Sequence, residues 1–222
     1  IDALYESQLI KIGEWVNGLS STKQFSVGGS GIEAALGNYW NEKGLLKQRT
    51  AWQKIEKANP LLVMSGSCSP VTAAQIAFAK ANYFEEVELD AVKICNDEIA
   101  ESAVVDKINR LLQQQKNLIV HTGQKTINNL SSEKLGTALG NIARQAVEKI
   151  NLQRVVIAGG DTSSYAARAM GIDAVEMIAP LVSGAPLCKA ISNNKSINGL
   201  EVNFKGGQVG SENYFEMLLN GE

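Results

Sequence analysis

The residues best suited to chemistry in this sequence sit in three glycine-rich segments, each of which follows an apolar run. The first is Ser65-Gly66-Ser67-Cys68-Ser69, which runs into Pro70. The second is Gly159-Gly160-Asp161-Thr162-Ser163-Ser164. The third is Lys205-Gly206-Gly207-Gln208-Val209-Gly210. Turns of this composition present backbone N–H groups free of side-chain obstruction, and a helix starting next adds partial positive charge. The combination suits an anion, phosphate above all. Ser67 and Ser69 add hydroxyl donors. Asp161 or Thr162 can cap the following helix or face a metal-bound phosphate, and Lys205 can face phosphate directly. Each turn also has a plainer reading: a serine-capped helix start, a second capped helix start, and a flexible hairpin. None fits the Gly-x-x-x-x-Gly-Lys-Ser/Thr phosphate loop or the Gly-x-Gly-x-x-Gly dinucleotide turn. One such turn is weak evidence; three in a single chain argue for a phosphorylated ligand.

Other candidates carry less. Gly28-Gly29-Ser30-Gly31 reads as tight packing at a domain edge. His121, the single histidine, ends an apolar run and reads as a hydrogen-bonded structural group. Glu85-Glu86 reads as a solvated turn. Trp15, Trp40 and Trp52 read as core or domain-contact residues. Cys68, Cys95 and Cys188 are widely spaced and odd in number, which argues against a disulfide framework or a zinc site and for buried or inert thiols in a reducing, cytoplasmic compartment.

The elements that would position the three turns follow from the hydrophobic pattern. Residues 3–19 have near-helical apolar spacing, and a second helix runs through about Asn41 after a short strand, Phe25-Ser26-Val27. Asn41 to Asn59 is polar and Lys-rich and reads as a linker closed by Pro60. Beyond it, strands are expected at Leu61–Met64, Val87–Leu89, Leu118–His121 and Val155–Ala158. Helices are expected at Val71–Asn82, Asp97–Gln115, from Ser131 to about Ile150, and from the Gly159 turn onward. Strand, turn and helix in repetition, with continuous apolar strand runs, predict an α/β fold: a mostly parallel sheet with helices on both faces. After Gly171 short strand candidates, Val175–Ile178, Leu187–Ile191 and Leu200–Phe204, predict a mixed β section closed by a helix near Ser211–Leu219. In open parallel sheets ligands bind at the carboxyl ends of the strands, where two of the glycine turns should lie.

Composition narrows the class. Of 222 residues, 45% are hydrophobic and 20% charged, which is the range of a folded globular protein. The 21 basic and 23 acidic residues leave a net charge of -2, with no electrostatic case for nucleic acid or an anionic membrane. No apolar run approaches the roughly 20 residues that a membrane helix needs. The first residue is Ile1, so a fragment or a processed chain is expected.

Taken in order, Met64-Ser65-Gly66-Ser67-Cys68-Ser69-Pro70-Val71-Thr72-Ala73-Ala74-Gln75-Ile76, Gly159-Gly160-Asp161-Thr162, Val182-Ser183-Gly184-Ala185-Pro186-Leu187 and Lys205-Gly206-Gly207-Gln208-Val209-Gly210 resemble the four-carbon acid sugar kinase family, members of which were once labelled Hrp-dependent type III effectors. The upstream Gly28-Gly29-Ser30-Gly31-Ile32 is similar to the family's segment just before its nucleotide-binding domain. The resemblance implies an ATP- and Mg2+-dependent kinase for threonate, erythronate or 3-oxo-tetronate. It places the tail of a sugar-acid-binding domain and a linker at 1–52 and a C-terminal nucleotide-binding domain at 53–222. It implies ATP contacts from Ser67, Ser69, Gly159, Gly160, Asp161, Thr162, Gly206 and Gly207, with Asp161 the local candidate to influence the metal. The family's N-terminal Asp-Asp and Thr-Gly-Ala signature is absent, so the substrate ligands and the catalytic base belong to another segment, and this stretch alone is expected to be inactive. A homodimer is one assembly open to it. A nucleotide- or phosphometabolite-binding regulatory module without kinase activity is the alternative.

Overall fold

The structure is a computed structural model that describes residues 3–19, 31–47, 49, 51–96, 98, 100–123 and 130–222. It divides into two compact units, residues 1–51 and 52–222. The first unit contains helices α1 (Glu6–Gly18) and α2 (Gly31–Glu42). Gly13 of α1 is buried against Ala35 of α2, where an added Cβ would fall 2.0 Å from the Ala35 carbonyl oxygen. Only glycine allows that approach. The Trp40 indole N–H donates to Asn17 Oδ1 at 2.9 Å across the pair. Trp15 is 56% exposed, and Trp52 is 39% exposed. Neither is a core residue, the first of the two roles expected of them. The strand expected at Phe25–Val27 and residues 28–30 of the upstream glycine turn lie outside the described residues.

The second unit is built on one seven-stranded sheet: β1 (Leu61–Ser65), β2 (Phe84–Glu88), β3 (Asn117–His121), β4 (Arg154–Ala158), β5 (Ala174–Val182), β6 (Ala185–Ile191) and β7 (Glu201–Lys205). Their order is β2-β3-β1-β4-β7-β6-β5. The first five are parallel; β6 runs antiparallel to β7, and β5 antiparallel to β6. The connecting helices are α3 (Pro70–Ala81), α4 (Ala91–Cys95), α5 (Glu101–Gln113), α6 (Ser132–Lys149) and α7 (Gly160–Met170), and α8 (Tyr214–Asn220) closes the chain. Both β1 and β4 are buried at every position. Such strands are covered on both faces. Leu62, Met64, Val155 and Ile157 share one core with apolar residues of α4, α5, α6 and α7. Leu61, Val63 and Val156 share a second core with α3 and α8. The expected α/β architecture, with its mixed C-terminal section, is therefore present.

Three local readings are corrected. The strand expected at Val87–Leu89 is Phe84–Glu88, because Phe84 and Val87 point into opposite cores and anchor the edge strand from its start. Glu85 and Glu86 consequently stand in β2 rather than in a turn. The helix expected to begin at Asp97 begins at Glu101, and a separate short helix, α4, precedes it. The Asp90 side chain caps α4 by accepting from the N–H groups of Val92 and Lys93. Within the mixed C-terminal section, β7 extends the parallel run beside β4. That placement carries the third glycine turn to the carboxyl edge of the sheet.

The opposite edge is locked by Arg154, which is 0% exposed. Its guanidinium donates to Glu201 Oε2 from Nε at 2.8 Å and from Nη2 at 2.5 Å, to the Glu56 carbonyl at 2.9 Å, and to the Leu218 carbonyl. One side chain thus joins β4, β7, α8 and the approach to β1.

Candidate functional site

The three glycine turns leave the carboxyl ends of β1, β4 and β7, which are neighbours in the sheet with β4 in the middle. The ladder continues into them: Gly66 N–H donates to the Ala158 carbonyl at 3.1 Å, and Gly159 N–H to the Lys205 carbonyl at 3.0 Å. Segments separated by about ninety and about fifty residues therefore meet at the carboxyl edge of the sheet, the place where open α/β sheets bind ligands.

Glycine is required where they meet. Gly159 has φ +132°, a conformation that side chains disfavour, and a Cβ there would lie 3.0 Å from Thr162 Oγ1 and 3.5 Å from the Ser67 backbone nitrogen. A Cβ on Gly66 would lie 2.8 Å from Thr162 Oγ1, and one on Gly207 would lie 2.8 Å from Ser67 Oγ and 2.9 Å from Ser69 Cβ. The first turn thus touches both the second and the third. Gly160 is different. Its φ is not positive, and a Cβ there would meet nothing within 4 Å. Neither the packing of the described residues nor the backbone demands glycine at that position.

Each turn is held from behind. Ser69 caps α3, its hydroxyl accepting from Val71 N–H at 3.2 Å, with Pro70 at the first helical position. The capped helix start read from the sequence is thus real at Ser69. Ser67, 8% exposed, accepts from Ser69 N–H at 3.2 Å. At the second turn the helix start has no side-chain cap: Gly159 occupies the cap position, Asp161 is exposed, and Thr162 is buried against Gly66. The first-turn N–H groups of α7 therefore receive no side-chain acceptor from the cap, which is the condition that suits an anion. Ser163 Oγ donates to the Gly159 carbonyl at 2.5 Å and fixes the turn from below.

The third turn is held by α3, and sequence reasoning assigned these residues no role. Thr72 Oγ1 donates to the Gly207 carbonyl at 2.9 Å. Gln75 Nε2 donates to the carbonyls of Val209 and Ser211, each at 2.9 Å. Both side chains are 0% exposed. The available signal was a polar pair at i, i+3 on the first turns of a helix that is otherwise apolar until Lys80. Lys205 does not face outward: it is 1% exposed and donates to Thr72 Oγ1 at 2.9 Å.

His121 ends β3, where it is a structural group. Gly123 N–H donates to Nδ1 at 3.0 Å, which leaves the proton on Nε2 to be donated to Glu86 Oε1 at 2.8 Å. Glu86 also pairs with Lys80 at 2.6 Å, and the Lys80 hydrogen bond is the main cause that holds its carboxyl below the usual range. None of the three cysteines is in a disulfide; Cys95 and Cys188 are buried and Cys68 is exposed, and burial pushes the Cys188 thiol up. Among the described residues there is no group of three or more metal-ligating side chains, and no helix is long and apolar enough to cross a membrane.

Known proteins are similar to this chain in sequence and in fold. A family model described as the nucleotide-binding C-terminal domain matches residues 62–215. The chain is 35% identical to the 3-oxo-isoapionate kinase of Paraburkholderia graminis, over 100% of this chain and 51% of that protein. It is 25% identical to the 3-oxo-tetronate kinase of Salmonella typhimurium, over 97% of this chain and 51% of that protein. The chain thus spans about half the length of the curated relatives it matches. Among solved structures, it is similar in fold to a Haemophilus influenzae protein, with TM-score 0.66, 22% identity and coverage of 98% of this chain and 52% of that one. It is also similar to a Bordetella bronchiseptica protein, with TM-score 0.63, 19% identity and coverage of 97% and 50%. The latter structure holds citrate and is a domain-swapped dimer.

Proposed function

Because the chain belongs to the nucleotide-binding C-terminal domain family, we propose that it is the nucleotide-holding half of a kinase that moves a phosphoryl group from ATP to a hydroxyl of a small sugar acid. The resemblance to the C-terminal portion of the four-carbon acid sugar kinases is borne out by that match and by the kinases that share the sequence. Both relatives named above act, by name, on a 3-oxo acid, so a 3-oxo sugar acid is the substrate class of choice.

One observation carries the reading: three glycine turns from adjacent parallel strands meet at the carboxyl edge of the sheet. The fit to a polyphosphate is chemical as well as steric. Gly160 lacks a side chain where the described residues would tolerate one, and the start of α7 lacks a side-chain cap. In this account the backbone of Gly159, Gly160, Gly206 and Gly207 orients the phosphates, Ser67 and Thr162 shape the floor, and Ser69 holds the first turn as a cap. Phosphoryl transfer depends on such positioning and on charge neutralisation. Mg2+, when bound, would neutralise phosphate charge, held largely by phosphate and water, with exposed Asp161 the local candidate carboxylate by its place in the first turn of α7. The sugar acid and the catalytic base are assigned to the part of the protein outside this chain, with residues 1–52 as the end of that domain and the linker. Its setting would be the cytoplasm, where ATP is made. A homodimer is carried over from the Bordetella structure and is tested by the mass of the whole protein in solution.

Calorimetry of the 222-residue chain with ATP and Mg2+ tests the binding half of this reading. Saturable binding at millimolar ATP or below is expected, and no heat under those conditions contradicts it. For the whole protein, ADP release that depends on a 3-oxo sugar acid is expected; ATP binding without such turnover would favour a regulatory module.

A further inference from the structure

Lys205 is the last residue of β7 and is almost wholly buried, yet none of the ion pairs among the described residues includes it. Its ammonium has one hydroxyl acceptor, Thr72 Oγ1, and lies 5.7 Å from the centre of the Tyr214 ring. Among the described residues, those recorded against it bring no charge. Here α3 presents Thr72, β4 presents Ala158 beside it in register, and α8 presents Tyr214. The Tyr214 phenol donates to Asn203 Oδ1 at 3.0 Å and is kept neutral by burial, which pushes it up to about 12.

A buried ammonium without an anion is costly, and an apolar side chain of similar length would fill the place at lower cost. Retaining the charge makes physical sense if negative charge arrives from elsewhere. The nearest site built for it is the glycine crevice. Thr72 accepts from Lys205 and donates to the Gly207 carbonyl, and Gly207 stands against Ser67. We propose that Lys205 is the charge complement of the phosphates held in this crevice, a positioning residue that acts through Thr72 on the Gly206–Gly207 turn. The proposal rests on the nucleotide reading above and deepens it.

Two physical effects follow. The chain of bonds turns the Gly207 carbonyl inward, so the N–H of the same trans peptide, on Gln208, points the other way, and Gln208 is exposed. The positive charge also sits in low-dielectric surroundings, where its field at the crevice is weakly screened. Linkage gives this a signature. Burial holds the free ammonium down to about 8. A bound polyanion favours the charged form and raises that value. Affinity is then at its full level below about pH 8 and falls above it, by up to about tenfold per pH unit until the pKa of the bound form is passed. Binding in that window takes up a proton. Phosphate's own last ionisation, near about pH 6, is already complete there.

The test is calorimetry of the 222-residue chain with ADP across about pH 7–10, in buffers of different ionisation enthalpy, for the wild type, K205M, K205R and T72V. The wild type should take up a proton at about pH 8.5. K205M should lose about tenfold or more in affinity at pH 7, lose the Lys205-dependent proton uptake, and unfold at the same or a higher temperature. K205R, whose charge does not titrate here, should flatten the pH profile. T72V should weaken binding while keeping proton uptake. K205M with wild-type affinity or wild-type proton uptake would overturn the proposal. So would a wild-type profile that is flat across the range without proton uptake, a result that needs no variant to fold. Absence of any ADP binding by the wild type would instead bring down the nucleotide reading itself.

Discussion

Gly207 and Ser67 stand so close that a methyl group on the glycine would lie 2.8 Å from the serine hydroxyl oxygen. The two residues are 140 positions apart in the chain, and their contact joins the turns after β1 and β7. That approach cannot survive a side chain at residue 207. G207A is expected to push the third turn off the first and weaken nucleotide binding by about tenfold or more, equivalent to about 1.4 kcal/mol. The melting temperature should change little, because the turn lies at the sheet's edge. Parallel calorimetry and thermal unfolding check this.

G160A separates packing from ligand access. Its new methyl group meets no described protein atom within 4 Å, and alanine favours helix over glycine by up to about 1 kcal/mol. The variant should be as stable as the wild type or slightly more so. It should nonetheless bind nucleotide less tightly, because the added methyl group stands on the uncapped first turn of α7. Equal affinity in both proteins would remove Gly160 from the site.

Glu86 supplies an acid-side contribution to stability. Its carboxyl is held below the ordinary value of 4.5, first by the Lys80 hydrogen bond and also by His121, while partial burial opposes them. A depressed carboxylate stabilises the fold above its unfolded value, and that contribution is lost as pH falls through the lower folded value. The wild type should therefore lose more stability than E86Q on acidification below 4.5, and the two should run parallel above it. The amide oxygen that E86Q introduces still accepts from His121, so the comparison isolates charge. Urea midpoints measured across the acid range decide it.

Arg154 provides a control at the far edge. Removing its guanidinium in R154A leaves Glu201, whose side chain is 16% exposed, without its buried partner and strips donors from two carbonyls. A loss of about 3–5 kcal/mol is expected from denaturant unfolding. Nucleotide affinity of the folded fraction should stay unchanged, since the three turns lie at the other end of the strands.

Much of this was legible in the residues themselves. The runs before the first two turns are continuous and apolar because β1 and β4 are covered on both faces, and the glycines that follow marked the crevice. What stayed hidden depends on strand order and on long-range bonds. Lys205 at a strand end reads as a cation that can face phosphate directly; only the position of β7 beside β4 and beneath α3 shows that it is buried. Thr72 and Gln75 look like ordinary helix residues until the loop they hold, about 135 residues later, is folded against them. The pairing of Glu86 with His121 spans β2 and β3, so a local reading of two adjacent glutamates saw only a polar turn.

The account stands on the claim that residues 66–69, 159–162 and 206–207 grip one triphosphate together. Backbone amide resonances of the 222-residue chain, followed by two-dimensional NMR during titration with ATP, test this most directly. The account predicts that signals from all three segments shift along a single saturation curve, while those near Arg154 at the opposite edge stay still. Shifts confined to one segment, or gathered at another part of the surface, would contradict it.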